Sequence, residues 1–380
     1  MRILTTANHL DAAGGLERTH LTNARGLAGR GHRLDLVYVE GGSFEESWRA
    51  ITATMTRVPT TLPRRAHPGR TTRAIADAVR AARRLEPDVV YAYRYWDLPF
   101  AAAVARGRPT AVVYHLCLPP PATLPRWLRP VLARVDVTLS VSAHTLELWR
   151  DTGLPLERAQ VVLTSVDLDT YTPAPPAARA ATRKQLGIDA EARVVFFGGR
   201  LTPEKGVDVL VRAFRQVAEE VAASHLVILG SPGPATDHAE AERFVGELRA
   251  LADGLPVTFI AQRVDVVPLL AAADVAALPS VWPEPLSRSI MEALACGVPV
   301  VATAAGGSPE ILSGSLAKLL VEPGDPDALA QRLLSVLEWR ADDPEEGSRC
   351  RQAAEDRLSL SDEVDLIERA MFDATTGKQD

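Results

Sequence analysis

The 380-residue sequence contains only three cysteines, Cys117, Cys296 and Cys350, in neither a CxxC motif nor a Cys/His pattern. This scarcity argues against a disulfide framework and a zinc site. No apolar run approaches the roughly eighteen residues of a membrane-spanning helix. The start, MRILTTANHL, is typical of a strand with a polar end and not of a signal peptide. We therefore expect a cytoplasmic protein.

Lysine is also scarce, with four lysines against 38 arginines, as in proteins of GC-rich bacteria. The net charge of -6 argues against general nucleic-acid binding. The charge is uneven, because residues 1–170 contain 22 arginines and 16 acidic residues, a balance of +6 that leaves -12 for the remainder. Eight arginines fall between Arg57 and Arg84. They predict either a solvated helix face or a surface for an anionic acceptor or peripheral contact with anionic lipid.

Hydrophobic periodicity predicts the fold class. Short β-rich runs alternate with segments of helical apolar spacing, and a Pro/Ala-rich break separates two such series. Alternation of this kind indicates parallel sheets flanked by helices, and a chain of this length exceeds one hydrophobic core. We therefore predict an α/β protein of two Rossmann-like domains that face each other across a ligand-binding cleft. The predicted strands are RILTTA, RLDLVYV, DVVYAY, TAVVYH and VTLSVS, then RVVFFGG, HLVILG, VTFIA, DVAALPS and VPVVAT.

Each domain contains a loop suited to phosphate. Gly14 and Gly15 follow the first strand and precede a helix, although a plain turn explains them equally well and a full GxGxxG is absent. In the second domain, Arg200 and Lys205 follow the glycines of FFGGRLTPEKG, directly before an amphipathic helix. Two cations oppose the helix dipole unless an anion lies between them and the helix. The second loop is therefore the stronger phosphate candidate, against the alternative of two surface cations.

Glu284 and Glu292 lie eight positions apart in PEPLSRSIMEALACGVPVVAT. Pro285 predicts a helix start beside Glu284, and Gly297 predicts its end. Eight helical residues span roughly 12 Å, more than the 5 to 10 Å, approximately, between paired glycosidase carboxylates. This spacing suits the two ends of an extended ligand such as a nucleotide sugar. The alternative for Glu292 is an exposed pair with Arg288.

The glycine loop, GGRLTPEKG, the E-x7-E pair, ACGVPVVAT and GGSPEIL together resemble the retaining GT-B glycosyltransferases of family 4, over nearly the whole chain. The resemblance implies an acceptor-binding domain of residues 1–170 with 360–380 and a donor-binding domain of residues 185–359. It implies that Arg200 and Lys205 hold the diphosphate, that Glu284 contacts the transferred sugar, and that Glu292 binds the ribose hydroxyls.

Further residues enter through the same resemblance. Gly15, with Gly14, approaches the diphosphate from the first domain, and His115 is the functional histidine at a strand exit, where the residues alone indicate a core or turn histidine. Gln262 and Arg263 take the place where the family packs the nucleobase. Leu286 and Ser287 belong to the donor site but stand where the family often has Phe-Gly. Thr164 and Ser165 replace the usual Asn-Gly.

The resemblance also implies the chemistry. We expect transfer of a sugar, more often from a UDP-sugar than from a GDP-sugar, to a small-molecule or lipid-linked acceptor, with retention and without metal or other cofactor. Of two DxD spellings, residues 167–169 precede the linker and residues 325–327 predict a helix cap. Two alternatives stay open: a sugar-nucleotide epimerase on the same fold, and a non-catalytic nucleotide-sugar-binding protein.

The end of the chain predicts an amphipathic helix. Ser359 or Ser361 is suited to its cap, and Val364, Ile367 and Met371 lie on one stripe. A short helix of this kind needs a docking surface. The family resemblance implies that this surface belongs to the first domain; the alternative is the second.

Overall fold

The structure is a computed structural model that describes residues 1–11, 14–61, 68–232, 238–261 and 265–377. The chain divides into two compact units. The first contains Met1–Ser165 and the segment that begins at Leu360, and the second contains Val166–Ser359.

The described strands of the first unit form a seven-stranded sheet of order β3-β2-β1-β4-β5-β6-β7, in which neighbouring strands run parallel. The strands are β1 (Arg2–His9), β2 (Arg33–Glu40), β3 (Thr54–Arg57), β4 (Val89–Ala92), β5 (Ala111–Leu116), β6 (Val137–Ser140) and β7 (Gln160–Val161). The helices are α1 (Gly15–Gly29), α2 (Glu45–Arg49), α3 (Pro68–Arg84), α4 (Leu98–Ala105), α5 (Arg129–Leu132) and α6 (Ala143–Leu148).

The described strands of the second unit form a six-stranded parallel sheet of order β10-β9-β8-β11-β12-β13. The strands are β8 (Arg193–Gly198), β9 (Ser224–Leu229), β10 (Val257–Ile260), β11 (Val275–Leu278), β12 (Val300–Thr303) and β13 (Leu320–Val321). The helices are α7 (Pro176–Leu186), α8 (Val207–Glu220), α9 (His238–Leu251), α10 (Val267–Ala272), α11 (Arg288–Ala295), α12 (Ser308–Ile311), α13 (Pro326–Leu337), α14 (Trp339–Asp342) and α15 (Glu345–Arg357).

Strands buried on both faces explain the nearly continuous apolar runs of the sequence. In β1, Ile3 belongs to one hydrophobic cluster of the first unit and Leu4 to another, because successive side chains point to opposite faces of the sheet. Leu36 and Val37 of β2 divide in the same way. The predicted α/β class with parallel sheets is therefore confirmed in both units.

The strand order reverses at the centre of each sheet, and this reversal indicates where ligands bind. β1 lies between β2 and β4, and β8 lies between β9 and β11. The connections from the two central strands run in opposite directions along the sheet, which opens a crevice at the carboxyl ends of these strands. The loops after β1, β4, β8 and β11 are therefore the candidate positions for binding groups.

The terminal helix α16 (Leu360–Thr376) lies in the first unit. Val364, Ile367 and Met371 are buried in the cluster that contains Ile3 and Leu36. Its start at Leu360 places Ser359 directly before the helix.

Three short strands were not predicted from the sequence: β3, β7 and β13. The second unit also begins earlier than residue 185, because the Ala-rich segment expected as linker forms α7. Arg183 of α7 is buried and binds Asp274 at 2.7 Å, which fixes the helix to this unit.

Candidate functional site

Glycines bring the strand exits of the second unit close together. Gly199, directly after β8, donates its N–H to Leu229 O at 3.0 Å. A Cβ at Gly230 would lie 2.1 Å from Gly199 O, so a side chain does not fit there. Ser289 of α11 donates its hydroxyl to Gly198 O at 2.9 Å. The backbone directly after β8 therefore lies against the carboxyl end of β9 and against α11.

Lys205 follows in a short 3-10 turn, Pro203–Lys205, directly before α8. Gly206 has a φ of 64° and makes the turn possible, since a Cβ there would lie 2.0 Å from Pro279 O. Lys205 Nζ lies 2.7 Å from Glu284 Oε1, with side-chain exposures of 16% and 10%. Arg200 is exposed in the same loop. The structure thus brings Lys205 and Glu284 together, although 79 positions separate them in the sequence.

Glu284 lies in an irregular segment before α11 and not at the start of a helix. The predicted helix start at Pro285 is wrong, because α11 begins at Arg288. Gly307 donates its N–H to Glu284 O at 2.8 Å, and a Cβ at Gly306, with a φ of 62°, would lie 2.0 Å from the same oxygen. This backbone contact fixes the segment outside α11, so the separation of roughly 12 Å that assumed a continuous helix does not apply.

The Glu284 carboxylate is fixed from within its own loop, which β12 supports in turn. Ser280, after β11, donates its hydroxyl to Glu284 Oε1. Thr303 of β12 in turn donates to Ser280 O at 2.7 Å. Ser280 is a supporting residue that sequence reasoning missed, and its position at the end of DVAALPS is the signal that could have found it.

Glu292 and Arg288 form the expected i, i+4 pair, with 3.4 Å between Arg288 Nη2 and Glu292 Oε1. The side chains are only 18% and 16% exposed, so this is not the solvated surface pair of the alternative interpretation. Among the described residues, Arg288 Nε and Nη1 are buried and have no hydrogen-bond partner. Buried donors of this kind are costly unless a partner binds them. Arg288 therefore joins the candidate site, where sequence reasoning gave it only as a partner of Glu292.

The remaining donor-site residues occupy the following places. Leu286 is half-buried, and Ser287 is buried at the N-cap position of α11 without a side-chain cap bond. Gln262 and Arg263 lie outside the described residues. The predicted helix end is confirmed, because Cys296 caps α11 and Gly297 has a φ of 68°.

In the first unit, Gly14 is the N-cap of α1 and Gly15 its first residue. Glu17 in the first turn pairs with Arg94, which follows β4, at 2.5 Å, and both are largely buried. Arg94 neutralises Glu17, the only acidic side chain of the first turn. An anion near the N-terminus of α1 at Gly15 would therefore not be repelled by an unpaired carboxylate. Arg94 was not predicted.

His115 is a core histidine in the structure. The sequence analysis expected a strand exit, but His115 lies inside β5 and is fully buried beside Tyr91 and Tyr93. Its Nδ1 lies 2.7 Å from Tyr91 Oη, and burial lowers the pKa of the imidazole to about 3. Among the described residues, Nε2 has no partner. Its expected contact with the donor stays a prediction.

Asp97, close to Arg94 in the chain, is a buried carboxyl group that sequence reasoning also missed. Burial raises its pKa to about 6, although the Arg94 charge acts in the opposite direction.

The two DxD segments use their first carboxylate on their own backbone. Asp167 Oδ1 accepts from Asp169 N and Thr170 N, both at 3.1 Å. Asp325 caps α13 by accepting from Asp327 N and Ala328 N. The predicted helix cap is confirmed, and the expectation that no metal is needed stays a prediction.

Two family models match the chain, one in each half. Glycosyltransferase Family 4 matches residues 13–170, and Glycosyl transferases group 1 matches residues 178–357. The chain belongs to the family 4 glycosyltransferases. The resemblance seen in the sequence is therefore confirmed.

Solved structures show the GT-B fold. HepE of Anabaena, in complex with UDP, has a TM-score of 0.83 and 24% identity, and the match covers 98% of this chain and 100% of HepE. A glycosyltransferase of Rickettsia africae has a TM-score of 0.84 and 17% identity, with 98% of both chains covered. The predicted GT-B architecture is thus confirmed.

Curated relatives are similar over part of their length. A GDP-mannose-dependent monoacylated alpha-(1-6)-phosphatidylinositol monomannoside mannosyltransferase of Corynebacterium glutamicum is 34% identical over 57% of this glycosyltransferase and 56% of the relative. A D-inositol 3-phosphate glycosyltransferase of Xylanimonas cellulosilytica is 38% identical over 59% and 52%. The chain spans about half the length of the curated relatives it matches. Among its described helices, none has the length and apolar character needed to cross a membrane.

Proposed function

We propose that this glycosyltransferase moves a sugar from a nucleoside-diphosphate sugar to an acceptor hydroxyl with retention of anomeric configuration. The observation that carries the proposal is the buried Lys205 and Glu284 pair at the strand exits of the second unit. It offers a compact cation for a diphosphate and a fixed carboxylate for sugar hydroxyls, at the end of the sheet where α/β proteins bind ligands.

The proposed reaction breaks the bond between the anomeric carbon and the diphosphate and forms a bond to the acceptor oxygen. The acceptor proton passes to the departing phosphate oxygen. Lys205 and Arg200 stabilise the negative charge that develops on the leaving group. Glu284, held by Ser280 and the backbone of Gly307, orients the sugar. Glu292 accepts hydrogen bonds from the ribose, and the free Arg288 donors face the same ligand.

A UDP-sugar is the proposed donor, supported by the fold shared with HepE, which was solved with UDP and with UDP-glucose. The Corynebacterium relative is named for GDP-mannose, so both donors belong in the test. The proposed acceptor is a small polyol or a lipid-linked alcohol. The arginine excess of residues 1–170 supports an anionic acceptor and peripheral contact with a membrane.

The test incubates the purified chain with UDP-glucose or GDP-mannose, with and without inositol phosphate or phosphatidylinositol acceptors. Transfer requires an acceptor and gives a product whose anomeric configuration NMR determines. A new sugar nucleotide formed from donor alone would identify an epimerase. Saturable nucleotide binding without any product across donors and acceptors would favour the binding protein, and an inverted product would contradict retention.

A further inference from the structure

A cavity of about 560 Å³ lies within the second unit, among described residues that the donor site does not use. Its volume falls in the range of small-molecule sites, roughly 300 to 1,000 Å³. Leu270 of α10 and Trp339 of α14 provide apolar wall, together with Pro173 and with Pro176 at the start of α7. An apolar wall of this size suits the carbon skeleton of a small organic molecule.

The charge on the cavity is unbalanced. Arg179, Arg340 and Arg351 line it, against a single carboxylate, Glu355. Arg351 Nε binds that carboxylate at 2.6 Å, and its other nitrogens donate to backbone carbonyls, including Ala295 O at 2.9 Å. Because Arg351 already binds Glu355, no carboxylate among the lining residues balances the positive charges of Arg179 and Arg340.

Asp274 cannot neutralise these two arginines. This buried carboxylate also binds Arg183, at 2.7 Å, so three guanidinium groups share one negative charge. Arg183 is the structural member of the three, because its remaining nitrogens donate to backbone carbonyls of Ala272, Ala190 and Ala192.

Arg340 donates Nε to Asp274 Oδ1 and Nη2 to Ala273 O, both at 3.3 Å. Arg179 Nε is buried without a hydrogen-bond partner among the described residues. Arg340 lies over the Trp339 ring, 4.2 Å from its centroid. Burial, reinforced by the neighbouring guanidinium groups and opposed by Asp274, lowers the pKa of both Arg179 and Arg340. An anion beside Arg179 and Arg340 would relieve this repulsion.

We propose that this cavity binds a small organic anion, whose phosphate or carboxylate group is held by Arg179 and Arg340 and whose carbon skeleton packs on Trp339 and Leu270. Guanidinium groups match both anions in bidentate geometry. The site is separate from the donor site. Cys296 and Gly297, after the end of α11, line the cavity, whereas Arg288 at the start of α11 belongs to the donor site. An eight-residue helix separates the two by roughly 12 Å.

Calorimetric titration of the full chain tests the proposal, with D-glucose 6-phosphate and citrate as probes and D-glucose as the neutral comparison. Saturating UDP is present throughout to occupy the donor site. We expect one saturable site for at least one anion and none for glucose. Absence of saturable binding for both anions in the presence of UDP would overturn the proposal.

Matched variants locate the site. Arg179→Gln, Arg340→Gln and Ala271→Phe, which fills the cavity without a change of charge, should each weaken binding at least tenfold. Arg193→Gln is the control, because Arg193 pairs with Glu338 and does not line the cavity. It should change affinity less than twofold. Equal affinity in all four variants would contradict the assignment.

Hydrogen exchange of the unaltered chain tests the site without any substitution, so a folding defect cannot explain its result. Bound D-glucose 6-phosphate should protect amides between residues 339 and 352, which include several lining residues. Protection confined to the loops after β8 and β11 would place the anion in the donor site instead and reject the cavity.

Discussion

Lys205 and Glu284 bind each other across 2.7 Å, from loops that follow two adjacent parallel strands, β8 and β11. The pair keeps the lysine and the carboxylate in place, and their charges cancel each other. In the proposed donor complex, a diphosphate would add negative charge beside Lys205, which would then serve both the phosphate and the carboxylate. Pre-positioning of this kind removes reorganisation that would otherwise oppose catalysis.

Lys205→Ala should lower kcat/KM for a UDP-sugar at least tenfold and weaken UDP binding, because the leaving group loses its nearest cation. Steady-state kinetics and calorimetry with UDP measure the two effects. Lys184→Ala, an exposed lysine of α7, is the matched control and should leave both unchanged. Equal donor kinetics in the two variants would remove Lys205 from the phosphate site.

Gly306→Ala should displace the Glu284 segment, because the new Cβ would lie 2.0 Å from Glu284 O. Gly314→Ala is the control: its φ is 60°, but nothing lies within 4 Å of its Cβ position. Both variants carry a left-handed strain of about 1 to 2 kcal/mol. Gly306→Ala should lose roughly 1 to 3 kcal/mol more in the free energy of unfolding.

Urea unfolding measures this difference, and UDP-sugar kinetics should follow it. Gly306→Ala should raise KM or lower kcat several-fold, whereas Gly314→Ala should not. If the two variants behave alike, the Gly306 backbone does not position Glu284.

Glu292→Gln separates a ligand contact from a helix pair. As a ribose acceptor, the carboxylate makes charge-assisted hydrogen bonds, so its loss should weaken UDP binding about tenfold. Asp208→Asn removes the acid of an i, i+4 pair with Arg212 on α8 and should leave affinity unchanged. Calorimetry with UDP compares the two. Unchanged affinity for Glu292→Gln, with a stability loss below about 1 kcal/mol, would reduce Glu292 to a partner of Arg288.

Local pattern was sufficient to predict the alternating strands, since continuous apolar runs survive in buried parallel sheets. It was insufficient for β7 and β13, which contain only two residues each. The helix start beside Glu284 was wrong because Pro285 fits a first turn locally, whereas the backbone of Gly306 and Gly307 decides the conformation from a distant part of the chain.

Some residues of the candidate site could likewise be predicted from local sequence, and others could not. Lys205 and Glu292 could be predicted from the sequence, because their neighbours indicate a helix start and a helix face. The free donors of Arg288 and the triple pairing of Asp274 depend on burial and on long-range contacts, so no local spacing reveals them. The full burial of His115 was not predictable either, because a position near a strand end does not fix how the side chain is enclosed.

The terminal helix α16 offers the test of how the first unit is completed. Glu363 is buried and accepts from Asn23 Nδ2 at 2.8 Å and from Ser165 N at 2.7 Å, beside the apolar stripe that contains Ile367. Ile367→Ala should cost about 2 to 5 kcal/mol in the free energy of unfolding, because it opens a cavity in the core of the unit.

Phe372→Ala is the control on the same helix, because its ring is 48% exposed and its loss should cost no more than about 1 kcal/mol. Thermal unfolding with and without UDP separates the two units, since UDP should stabilise only the unit that binds it. Ile367→Ala should lower the transition of the first unit and leave UDP affinity unchanged. Equal costs for the two substitutions, or a loss of UDP binding with Ile367→Ala, would show that α16 does not serve the first unit alone.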